Sequence, residues 1–232
     1  MHADLGAAAV DKELAAQLGE FVERKARDMN PQEVANSLNA LCKLETAAAA
    51  VSPTGWKRLA ETAERRASEM KPQEVANSLN AMSKLEAAMA AVSLVGWKRL
   101  VETVKRTARE MNSQAVANSL NALCKLKAAA AAVSPKGWAG LAKAAQRTAH
   151  EMNPQGNANL LNALRKLEAA AAAVSPSGWA GLAEAAERTA SEMKPQDVAK
   201  SLNALCKLDE TGLLLTSTRC PVEMHLTATT SV

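Results

Sequence analysis

The chain has 232 residues, of which 48% are hydrophobic, 22% charged and only 2% aromatic. Alanine accounts for 51 of them, a level that favours helix and argues against an all-β fold. The five aromatics, Phe21 and four Trp, are too few for modules that stack bases on rings, and 28 basic against 24 acidic side chains permit an anionic partner without demanding one.

In chain order, residues 11–28 (DKELAAQLGEFVERKARD) align with 52–69, so 1–28 reads as a degenerate N-terminal half-repeat. From Met29 the chain is periodic. Met29, Met70, Met111, Met152 and Met193 step by 41 residues, as do Trp56, Trp97, Trp138 and Trp179. The units are 29–69, 70–110, 111–151 and 152–192, with a partial unit at 193–208. A period of this size without strand signals predicts an all-α fold, an α-solenoid of helix-turn-helix repeats.

Asn30, Pro31 and Glu33 form the start signal of the first helix of the unit, helix A. Lys71 and Lys194 replace the capping Asn in two units. Helix A is expected from Pro31 through Leu44, and the alanine run carries it towards Val51. Ser52-Pro53 then starts helix B, which runs to Glu69; Leu94 replaces that Pro in the second unit. The short link after helix B makes successive helices antiparallel neighbours, about ten in all. Residues 209–232 leave the repeat and are rich in Thr and Ser, which suggests a disordered tail. The array starts and stops in mid-unit, as a truncated or mis-spliced gene model would. Asp4, Asp11 and Glu13 make the N-terminus unlike a transit peptide.

Helical periodicity assigns the faces. Val34, Leu38, Leu41 and Leu44 form the apolar stripe of helix A. Helix B turns Trp56, Leu59 and Ala63 inward and Lys57, Arg58, Glu61 and Arg65 outward. The Trp is the one large packing anchor per unit. No apolar run reaches the length of a membrane span, so no membrane partner is expected.

Catalytic chemistry has no foothold in this pattern. Cys42, Cys124 and Cys206 are copies of one repeat position, and Cys220 stands apart. They form no CxxC pair, so neither a zinc site nor a disulfide framework is expected. His2, His150 and His225 are isolated, and no nucleophile elbow or phosphate loop is present. The chain reads as a non-enzyme with no cofactor, no metal and no small-molecule substrate.

The informative feature is a polar stripe on helix A, opposite the apolar one. Asn36, Asn77, Asn118 and Asn159 hold its first position; Lys200 replaces them in the last unit. Asn39, Asn80, Asn121, Asn162 and Asn203 hold the second, one turn on. Lys43, Lys84, Lys125, Lys166 and Lys207 hold the third. Asn offers a donor and an acceptor to a base edge, and Lys neutralises phosphate. The candidate RNA-binding residues are therefore Asn36, Asn39, Lys43, Asn77, Asn80, Lys84, Asn118, Asn121, Lys125, Asn159, Asn162 and Lys166. The same Asn rows could instead bridge adjacent repeats. The second and third units together carry 12 basic and 5 acidic side chains, a central +7 hidden in the total of +4. The rows are nearly identical between units, so they grip any strand or select a nearly homopolymeric one. Base choice would then fall on the variable edge at Glu33, Glu74, Ala115, Gly156 and Asp197, where a carboxylate could accept from cytosine.

The segment PQEVANSLNALCKL and its copies PQEVANSLNAMSKL, SQAVANSLNALCKL and PQGNANLLNALRKL resemble the repeat helix of octotricopeptide repeat proteins. Similar helices occur in RAP-domain and FAST-kinase-like proteins. The resemblance implies an RNA-binding α-solenoid acting on single-stranded RNA in a chloroplast or mitochondrion, in RNA processing, stability or translation. The alternative is a protein-interaction scaffold of HEAT or armadillo type, with other proteins as partners.

Overall fold

The computed structural model describes residues 12–210. The tail expected over 209–232 is corrected at its start, since residues 209 and 210 end the helix Pro195–Glu210; 211–232 lie outside the described residues, as do Asp4 and Asp11. The described residues hold fourteen α-helices and no strand, arranged as an all-α repeat solenoid. None of these helices is long and apolar enough to cross a membrane.

Each period has three helices rather than two. The B helices are α1 (Lys12–Lys25), α4 (Pro53–Arg66), α7 (Leu94–Thr107), α10 (Pro135–Thr148) and α13 (Pro176–Thr189). The A helices are α2 (Pro31–Leu41), α5 (Pro72–Met82), α8 (Ser113–Leu123), α11 (Pro154–Lys166) and α14 (Pro195–Glu210). Between A and B lies a short alanine helix: α3 (Glu45–Ala50), α6 (Glu86–Ala91), α9 (Lys127–Ala132) and α12 (Glu168–Ala171). The expected continuation of helix A to Val51 is thus corrected. Leu44 leaves helical geometry at φ −112°, ψ 83°, and Leu85 and Leu167 do the same. These leucines pack against the core, and the turn lets the alanine helix fold back onto the preceding B helix. Alanine propensity alone would continue the helix; packing of the Leu outweighs it.

The starts form as the sequence signals. Asn30 Oδ1 accepts from Glu33 N at 2.9 Å while Glu33 Oε2 accepts from Asn30 N at 2.8 Å. Ser52, Ser93, Ser134 and Ser175 each accept from the backbone N–H three residues on, capping every B helix from α4. At α5, Lys71 offers no acceptor, and only the Glu74 half of the box remains.

The A helices stack on one another in one layer, and the B helices in a second. The four Trp, Leu59, Leu100, Leu141 and Leu182 from layer B meet Leu38, Leu79, Leu120 and Leu161 from layer A in one continuous core. Further ties cross from unit to unit. Arg106 donates to Ser68 O and Met70 O, Arg147 to Ala108 O and Met111 O, and Arg188 to Ala149 O and Met152 O. Arg65 reaches Arg27 O in the same way. These carbonyls lie in or just after the 3-10 turns that end each B helix, where a cation is favoured. Arg65 is therefore a tie between units, not only a solvent-face charge. Glu64 accepts from Ser93 N at 2.7 Å and Ser93 Oγ at 2.9 Å, and lies where a Cβ on Gly96 would be. Thr103 donates its hydroxyl to Ala67 O at 2.8 Å, buried between α7 and the preceding 3-10 turn.

One position breaks the pattern. Val34, Val75 and Val116 are fully buried, and Asn157 stands at the same register, equally buried, with neither amide atom partnered. A buried polar group without a partner costs about 1–3 kcal/mol. Asn157→Val is therefore expected to stabilise the chain by about 1–3 kcal/mol, read as a higher urea midpoint. A lower midpoint would mean that the amide has a partner.

Candidate nucleic-acid interface

The polar stripe follows from the A-helix register. The apolar stripe fixes each A helix against layer B, so the opposite side faces out along the stack. A groove of about 480 Å³ runs over α5, α8 and α11 on that side. It brings together Asn80, Lys84, Asn118, Asn121 and Asn159. The N-terminal turns of α8 and α11 add Ser113, Gln114 and Gln155. Its lining includes no carboxylate and no aromatic ring. The four Trp are buried and cannot stack on a ligand there.

The two Asn rows differ in what they do. The first is partly tied between repeats. Gln73 Nε2 donates to Asn77 Oδ1 at 3.1 Å, and Asn118 Nδ2 reaches the same oxygen at a long 3.5 Å. At the end of the row Lys200 Nζ lies 3.5 Å from Asn159 Oδ1. Lys200 thus continues the contact that its replacement of Asn suggested it would break. Asn36 is exposed at the first A helix and lines a different, apolar groove.

In the second row, Asn39, Asn80 and Asn121 are half-buried and make no side-chain hydrogen bond among the described residues. Asn162 differs, accepting from Arg165 at 3.1 Å. The lysines of the third position, Lys43, Lys84, Lys125 and Lys166, are all exposed. They stand at or just beyond the C-terminal ends of the A helices, where a cation also complements the helix dipole. Of this row, only Lys84 lines the groove.

The variable edge is otherwise engaged. Glu33 and Glu74 accept the backbone N–H of Asn30 and Lys71, each at 2.8 Å, and Asp197 is buried beside Lys200 at 3.7 Å. This corrects the base-reading expectation for those carboxylates, since the third position of a helix is where a carboxylate satisfies the cap. Burial pushes the Cys124 thiol up to about 11, despite Lys166, Lys125 and Arg165 nearby, so it stays protonated at neutral pH. Its Sγ donates to Ala163 O at 3.5 Å. The sequence pattern could not distinguish the tied Asn row from the free one, because both repeat with equal regularity.

Residues 11–38, 57–79, 98–120 and 140–161 match the model of a family described as a protein of unknown function, DUF1601. No curated protein matches the chain. The matched segments run from a B helix into the following A helix. Framed that way, the described residues hold five helix pairs, α1–α2 through α13–α14.

An unpartnered Asn inside a helix is a poorer helix former than Ala by about half a kcal/mol. The double variant Asn80→Ala/Asn121→Ala is therefore expected to keep its stability or gain up to about 1 kcal/mol in urea unfolding. A loss of more than about 1 kcal/mol would show that these amides hold the fold.

Proposed function

We propose that this chain is an RNA-binding helical-repeat protein that grips single-stranded RNA along its A-helix groove. The carrying observation is the row of half-buried, unpartnered amides at Asn39, Asn80 and Asn121, flanked by exposed lysines. Their amides are committed to no protein partner and still reach solvent, so three in a row at one repeat position offer donors and acceptors to a polar ligand that also repeats. A groove with Lys84 and no carboxylate suits an anionic strand. Lysines would neutralise phosphates, and each second-row Asn would meet one base. Because the row is uniform, the preferred target is nearly homopolymeric. The resemblance of helix A to octotricopeptide and FAST-kinase-like repeats supports action in organellar RNA processing, stability or translation.

A protein-scaffold reading is favoured by a different observation. Met89, Leu94 and Val95 form an exposed apolar corner on the second unit, where the other units carry Ala, Pro and polar residues.

Binding to a panel of homopolymeric RNAs as salt is raised decides between them. RNA binding is expected to weaken with a log–log slope near −0.7 per phosphate contact. Lys84→Ala/Lys125→Ala should reduce that slope by about 1.4 and weaken binding to all sequences alike. Undetectable binding at about 50 mM salt, where electrostatic contacts are strongest, would sink the RNA reading.

A further inference from the structure

We infer that copies of this chain join head to tail, the last A helix of one copy seating on the first B helix of the next. The repeats themselves supply the comparison. Within the chain every A helix from α2 to α11 packs against the B helix that follows it: α2 on α4, α5 on α7, α11 on α13. That contact covers Leu59, Leu100, Leu141 and Leu182 completely on the B side. Leu18 of α1 holds the same register and is 45% exposed. Phe21, in register with the buried Thr62 and Thr103, is 51% exposed. The same contact leaves Leu38, Leu79, Leu120 and Leu161 at most 1% exposed on the A side. Leu202 of α14 holds their register and is 63% exposed, and Val198 is 38% exposed where Val34, Val75 and Val116 are covered.

Each end therefore presents one half of an interface that the chain already forms four times. A groove of about 430 Å³, walled by Leu18, Phe21, Val22, Met29, Leu41 and Leu44, lies beside α1 and α2 where a preceding A helix would stack. Helix α14 is such a helix. It carries the same apolar stripe, with Val198 and Leu202 one turn apart and Leu205 partly buried beside them. The second copy is the occupant that fits, because the interface it would make continues the established stacking in its own register. The two faces differ, so the contact is heterologous and does not close on a dimer. The amide and lysine rows of successive copies would then run on as one longer groove.

Sedimentation velocity of the full chain from about 1 to about 200 µM tests this, a span that covers micromolar interfaces. The weight-average mass is expected to rise with concentration past that of a dimer. Leu18→Glu and Leu202→Glu each remove one face, and circular dichroism checks that the helices persist. Each variant alone is expected to stay monomeric, a loss of all self-association. Their equimolar mixture should give a heterodimer and nothing larger, because one intact A face then meets one intact B face. The inference is overturned by wild-type chain that stays monomeric throughout, as it would if its own terminal segments covered these faces. Self-association of either folded variant alone, or a mixture that stays monomeric, overturns it equally. Should a variant lose its helices, the wild-type mass profile alone decides.

Discussion

Leu38, Leu79, Leu120 and Leu161 are dry because a B helix covers each of them, and that B helix is held in place by the units on either side. No unit here has a core of its own. The apolar cluster is continuous from Ala15 to Leu208, with Trp as the large anchor and alanine keeping the helices close. A quasi-one-dimensional protein of this kind draws its stability from the contact between neighbours. The Arg65, Arg106, Arg147 and Arg188 ties follow from the same geometry. Stacking brings each arginine over the carbonyls at the end of the preceding B helix, and a guanidinium there satisfies acceptors that the helix leaves open.

That stacking leaves the far side of layer A without a structural duty of equal weight. The first Asn row takes part of it, through the Asn77–Asn118 contact and Lys200 on Asn159. In the second row Asn162 accepts from Arg165, whereas Asn80 and Asn121 line a polar groove beside Lys84, away from every buried Trp. The division is chemical. The apolar stripes hold the units in register, and the register sets polar groups at even intervals along one strip of surface. On the RNA-binding proposal, a polymer with a repeating backbone charge would be the ligand for such a strip.

Much of the architecture was legible in the sequence. The Met and Trp steps gave the period, Asn30, Ser52 and their copies gave helix starts, and the two stripes of helix A gave its inner and outer faces. The break at Leu44 was hidden, because the alanine run that follows has no Gly or Pro to mark it and only packing turns the chain there. The role of Arg65 and its copies was hidden too. A residue bonding to a carbonyl about 36 to 39 positions earlier looks, in one unit, like any solvent-face charge. Within the candidate site, the twelve residues share a pattern, yet their positions between stacked helices divide them into tied amides, free amides and exposed lysines. A single unit cannot show that division, since it arises between units.

The side-chain amide and indole signals of the full chain, followed by proton–nitrogen NMR as a homopolymeric single-stranded RNA is added, test most directly whether the free amide row is the grip. The expected result is a shift of the Asn80 and Asn121 amide signals, with the four Trp indole signals and the buried Asn157 amide unmoved. Saturating RNA that moves the indole signals instead, or leaves the Asn80 and Asn121 amides where they were, would contradict it.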